Sequence, residues 1–98
     1  MILEHAILDV RPGDEARFEA AMREAQPLIR ATPGFESIEV RPCLEKPGRY
    51  VLLVRWRRIE DHTEGFRGSD RYPRWKELLH RFYDPFPTVE HYGTSIVD

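Results

Sequence analysis

The apolar residues of this chain repeat with the period of a strand in some stretches and with that of a helix in others. Residues 50–56, YVLLVRW, carry apolar side chains in both alternating sets of positions. A strand that is covered on both faces has this pattern, so we predict a central strand over residues 49–56. Residues 2–10 share the pattern and predict a first strand. The weaker alternation over residues 35–41 is typical of a half-exposed strand.

Helical spacing appears in three further stretches. The first helix follows Pro12-Gly13-Asp14 and carries an apolar stripe made of Phe18, Ala21, Met22, Ala25 and Ile29. Pro27 lies inside this stripe, so we expect it to bend the helix rather than end it. After the central strand, helical spacing places four residues on the inward face: Ile59, His62, Thr63 and Phe66. The last helix has a buried face of Tyr72, Trp75, Leu79 and Phe82.

The order of these elements predicts the fold class. Lys46-Pro47-Gly48 fits a type II turn and joins the second and third strands in a hairpin, and residues 88–92 predict a fourth strand. The resulting order is typical of an α+β fold, a ferredoxin-like split βαβ sandwich with helices on one face of the sheet. Residues 1–98 are long enough for one domain. Because the central strand is apolar on both faces, we expect a second copy to cover the other face in a homodimer.

Composition narrows the classes of partner and compartment. The formal charge of -2 and the pI near 6.1 provide no field that would attract nucleic acid or an anionic membrane. No apolar run reaches the ~20 residues of a membrane span, and the start has no basic region followed by an apolar one. The single cysteine, Cys43, cannot form an internal disulfide, so we expect a reducing, cytoplasmic setting.

Several short motifs follow one another in a characteristic order. They are Pro12-Gly13 with Phe18, Pro33-Gly34-Phe35, the strand that ends in Trp56, residues 61–69 (DHTEGFRGS), Tyr72 with Trp75, and residues 87–92 (PTVEHY). In this order they resemble the antibiotic biosynthesis monooxygenase domain family of dimeric α+β barrels. The resemblance covers nearly the whole chain and implies a ferredoxin-like fold that pairs into a dimeric barrel.

The resemblance also implies a function. Members of the family include cofactor-free oxygenases of phenolic or quinol-like aromatics, haem-degrading enzymes, isomerases and proteins with no known reaction. Trp56 matches the tryptophan that the polyketide oxygenases use at the end of the central strand, whereas Leu52 and His62 stand where their pattern has Asn and Tyr. The haem-degrading members have an Asn in the first strand, where this chain has His5 or a neighbour. They also have a His on the helix, where His62 lies one turn earlier.

Oxidation without a cofactor requires a pocket that removes a proton from the substrate and keeps the anion dry. His62 is our first candidate for the base, because the ordinary pKa of histidine lies near working pH, and His5 is the second. The indole N–H of Trp56 could donate to a substrate oxygen. The remaining candidates for substrate binding are Phe66, Arg67 and Tyr72.

Each candidate also has a structural interpretation. His62 could be a buried histidine bonded to backbone, Trp56 could be plain core, and Arg67 could belong to a solvated basic face together with Arg71 and Arg74. His80 and His91 stand among charged neighbours, and we expect them at the surface.

Two functions follow from these residues. The first is a cofactor-independent monooxygenase acting on a small aromatic molecule, for which we expect no metal and no cofactor. No metal-ligand or phosphate-loop motif is present, and no axial-ligand motif argues for haem, although the sequence alone leaves haem open. The second is a non-catalytic dimeric barrel that binds a small apolar ligand or takes part in a stress response. Convergence of His62, His5, Tyr72 and Trp56 on one pocket would favour the enzyme.

Overall fold

A computed structural model describes all 98 residues. Four strands and two helices make up most of the chain: β1 (Ile2–Asp9), α1 (Glu15–Arg30), β2 (Phe35–Pro42), β3 (Arg49–Trp56), α2 (Tyr72–Leu79) and β4 (Val89–Tyr92). A π-helical turn (Asp61–Phe66) connects β3 to α2, and a 3-10 turn (His80–Phe82) follows α2. All four predicted strands and the first and last predicted helices, α1 and α2, are present, with boundaries that differ by a few residues.

The four strands form one antiparallel sheet in the order β2-β3-β1-β4. This topology confirms the predicted ferredoxin-like α+β fold, with β3 inside the sheet. The hairpin between β2 and β3 closes through a bond from Arg49 N to Lys46 O at 3.2 Å, and Gly48 has a φ of 84°. A type II turn requires this positive φ at its third residue, which explains the glycine.

Both helices pack on the same face of the sheet. The core between them contains 17 buried residues, among them Phe18 and Ile29 of α1, Trp75 and Leu79 of α2, and Trp56 of β3. Pro27 lies inside α1, which continues to Arg30 as predicted. Neither helix is long and apolar enough to cross a membrane.

The two faces of β3 differ in burial. Tyr50, Leu52, Val54 and Trp56 are at most 5% exposed and form the sheet side of the core. The alternate residues, with Val51 and Leu53 between two arginines, are half-buried on the outer face of the sheet. This outer face carries no helix, so its apolar residues are shielded only by one another and by neighbouring charged side chains.

The segment after β3 differs from the prediction in one respect. Its backbone makes a wide π turn, with a bond from Arg67 N to His62 O at 3.1 Å, instead of a regular α-helix. His62 and Phe66 point inward as predicted, but Ile59 precedes the turn and is 37% exposed. The prediction for Ile59 was wrong because it assumed a regular α-helical period, whereas the wider π turn that follows Ile59 does not keep it on the face of His62 and Phe66.

Candidate functional site

The site is a cavity of about 240 Å³ between the sheet and the layer formed by α2 and the π turn. Ten of its 15 lining residues are hydrophobic, and they include Phe66, Tyr72, Trp75, Tyr83 and Phe86. The polar side chains that line it are Glu4, His62, Arg67 and His80. An aromatic cavity with a few convergent polar groups is the usual form of a small-molecule site.

Glu4 and Trp56 form the fixed part of the polar cluster. Glu4 projects from β1 into the core and is only 4% exposed, and the fully buried indole of Trp56 donates its N–H to Glu4 Oε1 at 2.9 Å. Ile2 of β1 lies opposite Trp56, so Glu4 is a diagonal neighbour of Trp56 on the same sheet face. A buried carboxyl group is costly without such a partner, and the indole supplies it.

His62 connects this pair to the surface through His91. The His62 ring stacks on Trp56 with the ring centres 5.4 Å apart and an angle of 19° between the planes. Its Nε2 lies 3.5 Å from Glu4 Oε1, and its Nδ1 lies 2.8 Å from Nε2 of His91. Nδ1 of His62 is therefore hydrogen-bonded, whereas Nε2 makes only a long polar contact with Glu4.

Burial dominates the electrostatics of the cluster. It lowers the pKa of His62 to about 3, helped by the positive charge of Arg67 and by His91. Burial also lowers the pKa of His91 and raises the pKa of Glu4, although the Trp56 bond and the Arg67 charge act in the opposite direction on Glu4. His62 is thus neutral at pH 7, and its 3.5 Å contact with Glu4 is a polar contact of a neutral imidazole rather than an ion pair.

The chain segments around Gly34 and Asp61 explain why His62 points inward. Asp61 is buried and accepts bonds from the backbone N–H and the guanidinium of Arg58, which fixes the start of the π turn. Gly34 has a φ of 89°, and a Cβ there would lie 2.1 Å from Asp61 Oδ2. Only glycine leaves room for Asp61, so Gly34 helps to hold the turn that presents His62.

The structure brings most of the predicted site residues together. His62, Phe66, Arg67 and Tyr72 all line the cavity, and Trp56 lies directly behind His62. The N–H of Trp56 is bound to Glu4, so it is not free to donate to a substrate, and its placement supports His62 and Glu4 instead.

His5 lies apart from these residues. It has the opposite parity to Glu4 on β1 and therefore faces the outer side of the sheet, beside Ile7, Asp9 and Arg49. Its Nδ1 is buried without a hydrogen-bond partner. The convergence expected of His62, His5, Tyr72 and Trp56 thus excludes His5, because neighbouring positions of one strand cannot reach the same face.

Sequence reasoning missed Glu4 and misplaced two histidines. Glu4 is the one charged residue among the inward positions Ile2, Ala6, Leu8 and Val10, and a lone acid in an apolar stripe was a usable signal.

His91 was expected at the surface but is half-buried and bonded to His62, and His80 lines the cavity. For His91 the reason is strand pairing, because β4 pairs with β1 so that His91 lies directly opposite Glu4. That register could not be read from local sequence.

A second hollow of about 270 Å³ lies between α1 and β2. It contains no histidine, and the hydroxyl of its single tyrosine, Tyr50, donates to Glu19 at 2.6 Å. Of these two cavities, only the first therefore holds a histidine beside a carboxyl group. No three His, Cys, Asp or Glu side chains are arranged so that they could hold a metal ion.

The chain belongs to the antibiotic biosynthesis monooxygenase family. The sequence pattern of that family matches residues 1–78, which include β1, β3 and the π turn and so hold Glu4, Trp56 and His62. This confirms the resemblance on which the sequence analysis relied.

Known relatives agree with this placement. The uncharacterized protein YczJ of Bacillus subtilis is 51% identical over 92 residues, covering 94% of this chain and 97% of its own. A solved structure from Bordetella bronchiseptica, assigned to the antibiotic biosynthesis monooxygenases, has 33% identity and a TM-score of 0.90 over 97% of each chain. SnoaB of Streptomyces nogalater, a cofactor-independent oxygenase, superposes with a TM-score of 0.85 over 98% of this chain and 94% of its own, at 14% identity.

Proposed function

We propose that this chain is a cofactor-independent monooxygenase that oxidises a small phenolic or quinol-like aromatic molecule. The observation that carries the proposal is an aromatic cavity whose inner end holds a buried acid–base cluster, Glu4 with His62, beside an arginine. Family membership supports the reaction class, and the SnoaB fold belongs to an oxygenase that works without a cofactor.

The chemistry needs only the substrate, oxygen and a proton acceptor. A phenol that loses its proton becomes a phenolate, which can pass one electron to O₂ and then combine with the reduced oxygen at a ring carbon. One oxygen atom stays on that carbon, and the other leaves as water with the two hydrogen atoms lost by the phenol, which gives a quinone. The protein must therefore accept a proton and exclude water from the anion.

The lining of the cavity offers a group for each requirement. Arg67 is exposed at the cavity and forms no ion pair within the chain, so its guanidinium is available to a phenolate oxygen. Phe66 and Tyr72 present ring faces and edges to an aromatic substrate. His62 and Glu4 are the titratable groups at the inner end and remain our candidates for the proton acceptor.

The test is oxygen uptake by the purified protein with a panel of hydroquinones and hydroxylated polycyclic aromatics, without flavin, haem or metal. We expect turnover that a chelator leaves intact. His62→Ala should lower the rate by ~10² to 10⁴, the scale for losing a general base or its support. His5→Gln removes a histidine from the other face of the sheet and serves as the matched control, with turnover unchanged.

Two results would contradict the proposal or part of it. Wild-type protein that is well folded and oxidises no member of the panel would favour the alternative, a barrel that binds a small apolar ligand without turning it over. Full activity in His62→Ala would remove His62 from the reaction.

A further inference from the structure

We propose that Glu4 is the catalytic base of the cavity and that His91 acts through His62 as the residue that positions it. This inference rests on the proposed function, because a base is needed only if a phenol binds. It assigns the proton to a residue other than the histidine that the sequence favours.

The hydrogen bonds of the cluster leave one oxygen of Glu4 unbonded. The indole N–H of Trp56 and Nε2 of His62 both contact Glu4 Oε1, at 2.9 and 3.5 Å. The other carboxyl oxygen, Oε2, has no partner within the chain, and Glu4 lines the cavity. Nδ1 of His62 is hydrogen-bonded to His91, and its Nε2 lies 3.5 Å from Glu4 Oε1, a contact longer than an ordinary hydrogen bond, so whether Nε2 can accept a proton depends on which nitrogen carries the N–H.

The protonation states of the two imidazoles also favour Glu4 over His62 as the base. Both histidines have a lowered pKa and are neutral at pH 7, so each carries one N–H. The tautomer with the proton of His62 on Nδ1 is unfavourable, because the lone pair of Nε2 would then face the carboxyl oxygen of Glu4. The favourable arrangement has His62 Nε2–H pointing at Glu4 and His91 Nε2–H donating to His62 Nδ1 over 2.8 Å.

His91 therefore fixes the tautomer of His62, in the way that second partners fix ligand and catalytic histidines elsewhere. The 3.5 Å contact is long for a hydrogen bond, and such contacts often shorten when substrate binds. Two N–H groups on Oε1 then hold the carboxylate in place and leave Oε2 as the acceptor.

Charged and titratable groups from several elements surround Glu4 and set its basicity. They are His62 and Arg67 at the π turn, His91 on β4, Tyr72 on α2, and His80 and Tyr83 after α2. Burial raises the pKa of Glu4 above its ordinary value, which makes the carboxylate a stronger base. Arg67 lowers the pKa of Glu4, and it can also stabilise the phenolate that proton transfer creates.

The proton balance closes over the reaction. The O–H bond of the phenol breaks and its proton joins Glu4 Oε2, which leaves a phenolate and a neutral carboxyl group. The electrons pass from the phenolate to O₂, as in the proposed function. Glu4 gives the proton back when the second oxygen atom leaves as water.

The experiment uses 4-nitrophenol as the probe, because its absorbance distinguishes phenol from phenolate without any oxidation. At a pH below its own pKa, we expect the wild-type protein to bind it as the phenolate. Glu4→Gln keeps a carbonyl oxygen for Trp56 and His62 but cannot take a proton, so a proton lost by the bound probe must go to solvent and the ionised fraction should rise with pH. In the wild type the proton moves to Glu4 inside the complex, so the ionised fraction should not depend on pH. With an oxidisable substrate, turnover by this variant should fall by ~10² to 10⁴.

Variants of His91 test the positioning role. His91→Gln can still donate an N–H to His62 and should retain the ionisation of the bound probe, whereas His91→Leu should lose part of it. Nitrogen NMR of the ligand-free protein should give the Nε2–H tautomer for His62 in the wild type and a mixture in His91→Leu. A merely structural role for His91 would change stability but not this tautomer.

Each part of the inference can fail separately from the proposed function. The same pH dependence of probe ionisation in wild type and Glu4→Gln would overturn Glu4 as the base, even if oxygen uptake is seen. An Nδ1–H tautomer of His62 in the wild type would overturn the role of His91. If the protein oxidises no substrate but still ionises the probe through Glu4, the proposed monooxygenase activity is wrong and the assignment of Glu4 as the base is retained. If the probe does not bind, both the monooxygenase activity and the assignment of Glu4 as the base are contradicted.

Discussion

The side chain of Trp56 contacts both members of the acid–base cluster, Glu4 and His62. Its indole is fully buried, donates to Glu4 and stacks on His62. One residue thus compensates the burial of a carboxyl group and also orients the imidazole beside it. Replacement of Trp56 should consequently affect stability and the ionisation of Glu4 together.

We expect Trp56→Phe to lower the free energy of unfolding by about 1–3 kcal/mol through the lost bond to a buried carboxyl, besides the effect of lost volume. Trp75→Phe is the matched control, because Trp75 is also buried but its indole N–H makes no hydrogen bond within the chain. Urea unfolding at pH 7 measures both. Equal losses for the two variants would mean that the bond contributes nothing to stability.

The pKa of His62 predicts how stability depends on pH. Unfolded His62 takes up a proton near pH 6.5, but folded His62 remains neutral until about pH 3. The unfolded state therefore binds more protons as pH falls from 6.5, and the free energy of unfolding decreases by up to about 1.4 kcal/mol per pH unit. Glu4, whose folded pKa is raised, acts in the opposite direction once the folded carboxyl takes up its proton.

Comparison with His62→Gln isolates the histidine, because this variant leaves Glu4, His80 and His91 in place. Its stability should decrease less steeply than that of the wild type between pH 6.5 and 5. Chemical unfolding at several pH values gives the two slopes. Parallel slopes would show that His62 is not held neutral by the fold.

At the scale of elements, β4 is a short edge strand that completes the site. It pairs only with β1, from Leu3 opposite Tyr92 to Ala6 opposite Val89, and brings His91 to Glu4. The sequence predicted a fourth strand over residues 88–92, and β4 does pair with the sheet. Phe86 and Tyr92 nevertheless remain 62% and 48% exposed, so burial of aromatic rings is not what holds the tail in this chain.

Truncation after Asp84 should lower stability by several kcal/mol, about the cost of removing a large buried side chain, because the β1–β4 ladder and the half-buried Val89 are lost. Truncation after Tyr92 is the control, since it removes Ile96 and Val97, which are 100% and 73% exposed. Thermal melting compares the two. An unchanged melting curve after the longer truncation would contradict a structural role for β4.

At the scale of the whole molecule, the helices leave the outer face of the sheet uncovered. Leu3, Ile7, Val51 and Leu53 share this face with charged neighbours. We expect a homodimer in which two such faces meet and bury more than roughly 2,000 Å² in total, the range of obligate pairs. Sedimentation at micromolar concentration should give twice the chain mass of 11.6 kDa.

A substitution on this face tests the arrangement. Leu53→Glu places a charge among the apolar residues and should shift the protein towards the monomer. Ile59→Glu changes a residue that is 37% exposed and lies off the sheet, so it is the matched control. Wild-type protein that sediments only at 11.6 kDa would contradict the dimer.

Local sequence was sufficient to predict the elements and four of the 15 residues that line the cavity, namely His62, Phe66, Arg67 and Tyr72. The two-sided apolar pattern of β3, the stripe of α1 and the turn at Pro47-Gly48 depend on residues close together in the chain. The same holds for the inward direction of His62 and Phe66, because residues four apart lie on one side of a helical turn. The antibiotic biosynthesis monooxygenase family could also be recognised from the order of these motifs.

Only the tertiary structure determined the chemistry at the end of the cavity. Glu4, Trp56, His62 and His91 come from three strands and one turn, and the 2.8 Å contact between the two histidines spans 29 residues of sequence. Strand register decides such contacts, since a shift by one residue would place Glu4 on the outer face and His5 in the cavity. Burial then determines the pKa of each group, and burial is a property of the folded chain rather than of any segment.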